Sequence, residues 1–356
     1  MPNSRQWYER IFFRFNPDAI SKEFNIPLSE VEDFRAFLIT PHNSDQNSAG
    51  WTSKGNLIYP LEPEQINDLI SKLNYPVRRD FWKSTHPLRI HGNSNVIQFP
   101  AAMAIINMTP DSFYPVSRTK EDDLEQKLDE IEMTGCSLVD IGGQSTRPES
   151  EQVSAKYEMK RISKAVEISL NRKFTVSIDS YRPEVLRECL EMGVHIINDV
   201  TGMENPEVGK LARKYDVPLI VMHKKGSFKT MQRSPTYKNV VNEIISFFLK
   251  RISQAVELGI EDNLILDPGI GFGKRLEDNL KIIDNLMDFK LGHPLLVGLS
   301  RKSYIGGVLN ESVNERGESS LIFNSIAIMK GADIIRVHDI KGNMKLIKII
   351  KKLKEV

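Results

Sequence analysis

Cysteine is scarce in this chain, with only Cys136 and Cys189 among 356 residues. There is no Cys-x-x-Cys pair, and two thiols cannot build a disulfide framework, so neither a cross-linked secreted scaffold nor a cysteine-held zinc site is expected. Both cysteines fall in segments that read as regular structure, where a thiol serves as a small buried apolar side chain in a reducing compartment. Excess charge of one sign is missing too: Lys+Arg 48 against Asp+Glu 47 leaves a net charge of +1. No global field therefore draws the chain to nucleic acid or an acidic membrane, and neither is expected as a partner. The N-terminus lacks a basic-then-apolar signal pattern, and no apolar run approaches the ~20 residues of a membrane span. A cytoplasmic location is the expectation.

Residues 1–95 differ in texture from the rest of the chain. They hold all three tryptophans, Trp7, Trp51 and Trp82, and a polar loop over 40–50. Short helices are predicted over 27–37, with Ser29 near the start, and over 62–73, opened by Pro63. This segment reads as an N-terminal extension, mixed or helical, with no catalytic constellation. A linker at residues 91–95 separates it from a domain spanning 96–356.

From Val96 onward, strand and helix alternate. Apolar runs of strand length occur at 101–106, 138–141, 174–178, 195–197, 218–222, 264–266, 295–297 and 334–337. Each is continuous, as in strands buried on both faces. Helix-length segments with one polar face lie between them, including 121–133, 151–170, 182–192 and 236–258, and Gly135, Gly193, Gly259 and Gly331 close four of them. Eight such units over about 260 residues fit an α/β fold of (β/α)₈ type, the TIM barrel. An open doubly wound sheet is the alternative, but its Gly-x-Gly-x-x-Gly turn after the first strand is absent.

In such a barrel, the loops after the strand C-termini meet on one face and build the site. Here every strand tip carries a group able to hydrogen-bond or ionise. The tips supply, in order, Asn107, Asp140, Asp179, Asn198, His223, Asp267, Lys302 and Arg336, among others. Arg147, Lys302, Arg336 and His338, with the second loop's glycines, are of types that hold phosphate or diphosphate. Asn107 can help coordinate a Mg²⁺ bound mainly by diphosphate oxygens, because Mg²⁺ takes few protein ligands. Asp179, Asn198 and Asp267 form a carboxylate–amide–carboxylate set suited to the edge of an aminopyrimidine heterocycle. Asp140 and Asp199 read as braces between strands, and His223 as a core histidine in preference to a ligand contact.

Residues from about 100 to 350 resemble the dihydropteroate synthases, folate-pathway enzymes of the pterin-binding barrel family. The strings that carry the resemblance are Asn107-Met108-Thr109-Pro110-Asp111-Ser112-Phe113, Asp140-Ile141-Gly142-Gly143-Gln144-Ser145-Thr146-Arg147-Pro148 and Ser177-Ile178-Asp179. They continue with Ile197-Asn198-Asp199-Val200, Leu266-Asp267-Pro268-Gly269-Ile270-Gly271-Phe272-Gly273-Lys274, Ser300-Arg301-Lys302-Ser303 and Arg336-Val337-His338-Asp339. The resemblance implies a transferase that joins 4-aminobenzoate to 6-hydroxymethyl-7,8-dihydropterin diphosphate and expels diphosphate. It implies that Asp179, Asn198, Asp267 and Lys302 hold the pterin, with Met222, Phe272 and Gly298 lining its slot. Asn107, Arg336 and His338 would take the diphosphate and its Mg²⁺. Phe113, Thr146, Arg147 and Pro148, on two closing loops, would shape the aminobenzoate pocket with Ser303. Lys302, Arg336 and Asp267 are then the catalytic residues, and a homodimer is the family's assembly.

The chain departs from the family pattern in two places. Gln144 stands where an acidic residue is usual, and Tyr114-Pro115-Val116 replaces the common Ser-Asp-Gly-Gly after Phe113. Two other functions compete. A methyltetrahydrofolate:corrinoid methyltransferase would share the pterin-holding residues but need neither Ser-Thr-Arg-Pro nor Ser-Arg-Lys-Ser. A non-catalytic pterin-binding protein would be expected to lack Lys302 or Arg336.

Overall fold

The computed structural model describes residues 12–14, 37–41, 51–53, 56–60, 88–89, 96–109, 123–144 and 152–354. In the N-terminal region, β1 (Phe12–Arg14), β2 (Phe37–Pro41), β3 (Trp51–Ser53) and β4 (Asn56–Pro60) form an antiparallel sheet in the order β1-β2-β4-β3. Sheet structure thus replaces part of the helical character expected there. Phe37 begins a strand instead of ending a helix, and the remainder of the 27–37 helix, the 62–73 helix and the 91–95 linker lie outside the described residues. β5 (Leu88–Arg89) pairs antiparallel with β6 (Val96–Ile97).

Eight parallel strands come next: β7 (Ala101–Asn107), β8 (Leu138–Gly142), β9 (Thr175–Asp179), β10 (Ile196–Asp199), β11 (Leu219–Met222), β12 (Leu264–Asp267), β13 (Leu296–Val297) and β14 (Ile334–Val337). Their order is β12-β11-β10-β9-β8-β7-β14-β13, so the first and last strands of the domain are neighbours. The ring is closed between β12 and β13 by one parallel bridge, Leu266 to Leu295, and by the Leu266 N–H donating to the Pro294 carbonyl at 2.9 Å. The expected eight-stranded barrel is therefore present, nearly closed, with a thin seam.

Around it run α1 (Leu124–Met133), α2 (Ala155–Asn171), α3 (Pro183–Glu191), α4 (Pro206–Tyr215), α5 (Val240–Leu258), α6 (Leu276–Asp284), α7 (Ser303–Leu309), α8 (Arg316–Met329) and α9 (Ile340–Lys354). Local chemistry sets several of their starts. The side chains of Ser154, Asn205 and Asn239 accept from the Tyr157, Glu207 and Val241 N–H groups, satisfying donors that a first turn leaves free. Gly259 (φ 67°) closes α5 in the left-handed conformation, as its place in the sequence predicts. The lysine-rich C-terminal segment is the last outer helix, burying Ile340, Ile347 and Ile350.

The continuous apolar runs conceal an alternation by height. Successive side chains point to opposite faces of a strand. The outward residues, such as Val139, Ile141, Val176, Ile178, Leu219 and Val221, pack with the helices in one large core. Inside the barrel, Met103, Leu138, Ile196, Ile220, Ile265, Leu296 and Ile334 fill the lower level, with Ile97 of β6 packed among them. Two residues further along, the inward positions become Asp140, Asn198, Met222, Asp267, Gly298 and Arg336. Apolar at the bottom and polar at the top, the nearly closed barrel gathers its ionisable groups at the strand C-termini.

Cys136 and Cys189 are buried and unpaired, as expected, and burial pushes their thiols up to about 11 and about 12. Among the described residues no helix is long and apolar enough to cross a membrane. Phe248, fully buried on α5, stacks edge-on against Phe289 with ring centroids 6.4 Å apart. Phe248→Ala should cost about 3–5 kcal/mol of unfolding free energy, measured by urea denaturation, because the outer core must keep the cavity or collapse around it.

Candidate active site

Register aligns the strand tips. Asn107 pairs with Gly142, Gly142 with Asp179 and Asp179 with Asn198, giving one row across β7, β8, β9 and β10. On the next pair, Met222 lies beside Asp267. A Cβ built on Gly142 would stand 3.7 Å from Asp179 Oδ2 and 3.8 Å from Asn107 Oδ1, so the glycine leaves a cleft between these groups.

Arg336 lies at the centre of this floor. Its Nε donates to Asp140 Oδ2 at 2.6 Å and its Nη2 to Asp179 Oδ2 at 2.8 Å. Asn198 Nδ2 donates to the same Asp140 oxygen at 3.0 Å. Four strands are thus tied by one buried network, in which two carboxylates share one guanidinium. Burial pushes the Asp179 carboxyl up to about 7, against the pull of Arg336 and with the push of Asp140. Asp140 is more than the strand brace that its sequence position suggests. Asp199, expected to brace neighbouring strands, instead organises its own loop: its carboxylate accepts from the Thr201 and Met203 N–H groups and from the Thr201 hydroxyl.

The loop after β12 carries the second half of the site. Asp267 accepts from the Gly269 N–H at 2.7 Å, and burial raises its carboxyl above the usual carboxylate range. Gly269 has φ 64°, and a Cβ there would stand 1.9 Å from the His223 carbonyl oxygen, so only glycine fits. Lys302 lies 4.8 Å from the centre of the Phe272 ring and donates to the Ile270 carbonyl. Burial lowers its ammonium to about 8, with Asp267 pulling the other way. Gly298 borders it, since a Cβ there would lie 3.7 Å from Lys302 Nζ. Ser303 is exposed at the first turn of α7.

Lys274 is a member that the sequence pattern does not single out. Its buried ammonium donates to the carbonyls of Gly269 at 2.8 Å, Phe272 at 3.0 Å and His223 at 3.2 Å. It also lies 3.0 Å from His223 Nδ1. One side chain therefore staples the Asp267–Phe272 loop to the tip of β11, and burial pushes its amine well below the usual lysine range. His223 is buried, with its ring edge-on to Phe247 at 5.1 Å.

His338 Nδ1 lies 3.0 Å from Ser300 Oγ. Burial, helped by Arg336, pushes its imidazole down to about 3, so it is a neutral hydrogen-bonding group and not a cation. Arg301, beside Lys302 in the Ser-Arg-Lys-Ser string, turns away to the carbonyls of Val313 and Asn314. Phe113, Thr146, Arg147 and Pro148 lie outside the described residues. The described residues thus bring Asn107, Asp179, Asn198, Met222, Asp267, Phe272, Gly298, Lys302, Ser303, Arg336 and His338 to the C-terminal face of the strands. Among the described residues no cluster of three or more His, Cys, Asp and Glu side chains is arranged to hold a metal.

A parallel barrel with ionisable groups gathered at its strand C-termini is the architecture of an enzyme acting on a small polar molecule. Comparison with known proteins makes this specific. Residues 103–338 match the model of the pterin binding enzyme family. The chain is 37% identical over 270 residues to the dihydropteroate synthase of Haemophilus influenzae, an alignment covering 74% of this chain and 98% of that one. It is 38% identical over 263 residues to the Escherichia coli dihydropteroate synthase, covering 73% and 93%. Among solved structures, the Yersinia pestis dihydropteroate synthase in a sulfonamide drug complex superposes with a TM-score of 0.72 at 35% identity, covering 76% of this chain and all of that one. The Xanthomonas albilineans dihydropteroate synthase with 4-aminobenzoic acid gives a TM-score of 0.69 at 32% identity, covering 76% of this chain. The chain belongs to the pterin binding enzyme family and, within it, to the dihydropteroate synthases, transferases of folate biosynthesis.

With its ammonium lowered to about 8, Lys302 is charged below that pH and loses its proton above it. The activity should accordingly decline as pH rises through about 8, read as kcat/KM of the purified protein. In Lys302→Arg, whose guanidinium stays charged, the residual activity should lack that decline; an unchanged pH profile would remove Lys302 from the catalytic charge balance.

Proposed function

We propose that the chain condenses 6-hydroxymethyl-7,8-dihydropterin diphosphate with 4-aminobenzoate, giving 7,8-dihydropteroate and diphosphate, at the floor built around Arg336. What carries this reading is one arrangement. Acceptors suited to a heterocycle edge, Asp179, Asn198 and Asp267, surround a guanidinium whose Nε and one Nη2 hydrogen are occupied. Its Nη1–Nη2 end has no partner among the described residues, and that end is a planar fork matched to phosphate oxygens.

In this reading Asp179, Asn198, Asp267 and Lys302 hold the pterin, with Met222, Phe272 and Gly298 forming the slot. Arg336 and neutral His338 take the diphosphate. Ser303 borders the aminobenzoate pocket, to which the motif also assigns Phe113, Thr146, Arg147 and Pro148. The amine nitrogen attacks the methylene carbon, the carbon–oxygen bond to diphosphate breaks with its electron pair leaving on oxygen, and the amine gives up a proton to solvent water. Fixed charges do the work: Asp267 faces the electron-poor centre, while Arg336 and Lys302 face the departing anion. No protein nucleophile is required, and both cysteines are buried away from the strand tips.

A single amide oxygen at Asn107, with no carboxylate cluster beside it among the described residues, fits a Mg²⁺ that arrives on the diphosphate and keeps most of its ligands there. When bound, that ion neutralises charge on the leaving group. The corrinoid methyltransferase alternative is not favoured, since the Haemophilus and Escherichia relatives are synthases. A non-catalytic role is opposed by intact Lys302 and Arg336.

We place residues 1–95 in a separate accessory unit and 96–356 in the catalytic barrel. Support comes from the separate N-terminal sheet and from relatives that align with about three-quarters of the chain. A second copy of the chain would cover α8, where Ile322, Ile326 and Met329 form an exposed apolar stripe at helical spacing. Unpaired buried thiols suit a reducing cytoplasm.

Purified protein with Mg²⁺ and both substrates should release diphosphate; binding of both without turnover would overturn the assignment. Arg336→Ala should abolish that turnover. It should also cost about 3–5 kcal/mol of stability, because it strips the counter-charge from Asp140 and Asp179. The assembly has its own test: Ile326→Glu should shift the protein from dimer to monomer in sedimentation velocity, with the circular-dichroism spectrum unchanged.

A further inference from the structure

Asp140 is completely buried on β8, and neither the sequence motif nor the proposed substrate contacts give it a role beyond bracing. Its hydrogen bonding is lopsided. Oδ2 accepts twice, from Arg336 Nε at 2.6 Å and from Asn198 Nδ2 at 3.0 Å, while Oδ1 is buried with no partner. The two donors come from β14 and β10 and belong to the two halves of the site.

Each bond fixes the orientation of the group that makes it. Asp140 Oδ2 accepts from Asn198 Nδ2, so the Asn198 amide turns its NH₂ toward Asp140 and its oxygen away. Asn198 therefore presents an acceptor to the ligand, the correct polarity for an N–H on a heterocycle edge. A guanidinium offers two forks, one along Nε and Nη2, the other at Nη1 and Nη2. Asp140 and Asp179 together occupy the first, leaving the second for an anion. Asp179 is itself assigned to the pterin, whereas Asp140, at 0% exposure, is out of reach of any ligand above the floor. Its hold on Arg336 therefore persists when Asp179 turns to the pterin.

We propose that Asp140 is a positioning residue that sets the hydrogen-bonding face of Asn198 toward the pterin and of Arg336 toward the diphosphate, coupling the two subsites through one buried oxygen. The inference rests on the proposed synthase reaction, and a pair of binding probes separates the failure of one from the failure of the other.

Calorimetric titration with 6-hydroxymethylpterin and, separately, with magnesium diphosphate reads each subsite alone. If the unaltered protein binds neither probe, the functional reading falls, whatever Asp140 does. If it binds both, Asp140→Asn should weaken both by about tenfold or more, since a neutral amide no longer dictates either orientation. Asn198→Ala should weaken only the pterin probe, and Arg336→Lys only the diphosphate. In Asp140→Asn combined with Asn198→Ala, pterin affinity should fall less than the product of the single effects. A merely structural Asp140 would lower the melting temperature and leave both affinities of the folded protein unchanged. That outcome, or the weakening of one probe alone, overturns the proposal. Should Asp140→Asn not fold, Asp140→Glu decides: it keeps the charge but displaces the shared oxygen, so both probes must weaken together.

Discussion

The ion-pair network of Arg336 with Asp140 and Asp179 is the interaction around which the site is arranged. Taking three charged groups out of water is expensive, and such a cluster persists only where geometry and hydrogen bonds compensate. Here the compensation comes from the barrel, whose parallel register brings four strand tips to one level. Below that level the interior is filled with aliphatic side chains. The apolar lower level makes the upper one a low-dielectric floor, in which carboxylates rise toward neutrality and ammonium groups fall toward it. Fixed dipoles and charges in such a setting need little reorganisation when charge develops on a reacting ligand.

Much of this arrangement can be read from the sequence, with instructive boundary errors. The predicted runs end at the last apolar residue, at 106, 141, 178 and 266, whereas the strands continue to Asn107, Gly142, Asp179 and Asp267. The backbone keeps its ladder bonds for one residue more, and at Asn107, Asp179 and Asp267 that added residue belongs to the proposed site. Hydrophobicity cannot register it, because the interior has by then turned polar. Polarity also puts helix starts up to four residues early, at 236 for α5, since capping segments such as the one ending at Asn239 share the character of a first turn.

Distance in sequence decides what stays illegible. Asp140 meets Arg336 across 196 residues, and Lys274 meets His223 across 51. No local spacing indicates which of several carboxylates will share a guanidinium, or that a lysine at the end of a glycine-rich loop will turn inward to gather three carbonyls. The charge of His338 is hidden for the same reason: its burial and the neighbouring Arg336 are tertiary facts. The N-terminal strands, three to five residues long, give too little pattern to distinguish from loops.

The thin seam of the barrel has a further meaning. Adjacent strands elsewhere share two to five registered pairs, but β12 and the β13 segment share a single bridge. Beyond the seam, β12 ends in Asp267, while the segment after β13 leads through Gly298 to Lys302. The slot proposed for the pterin, between Asp267 and Lys302, therefore lies beside the junction with the fewest backbone rungs in the barrel, where side chains and not ladder bonds define the wall.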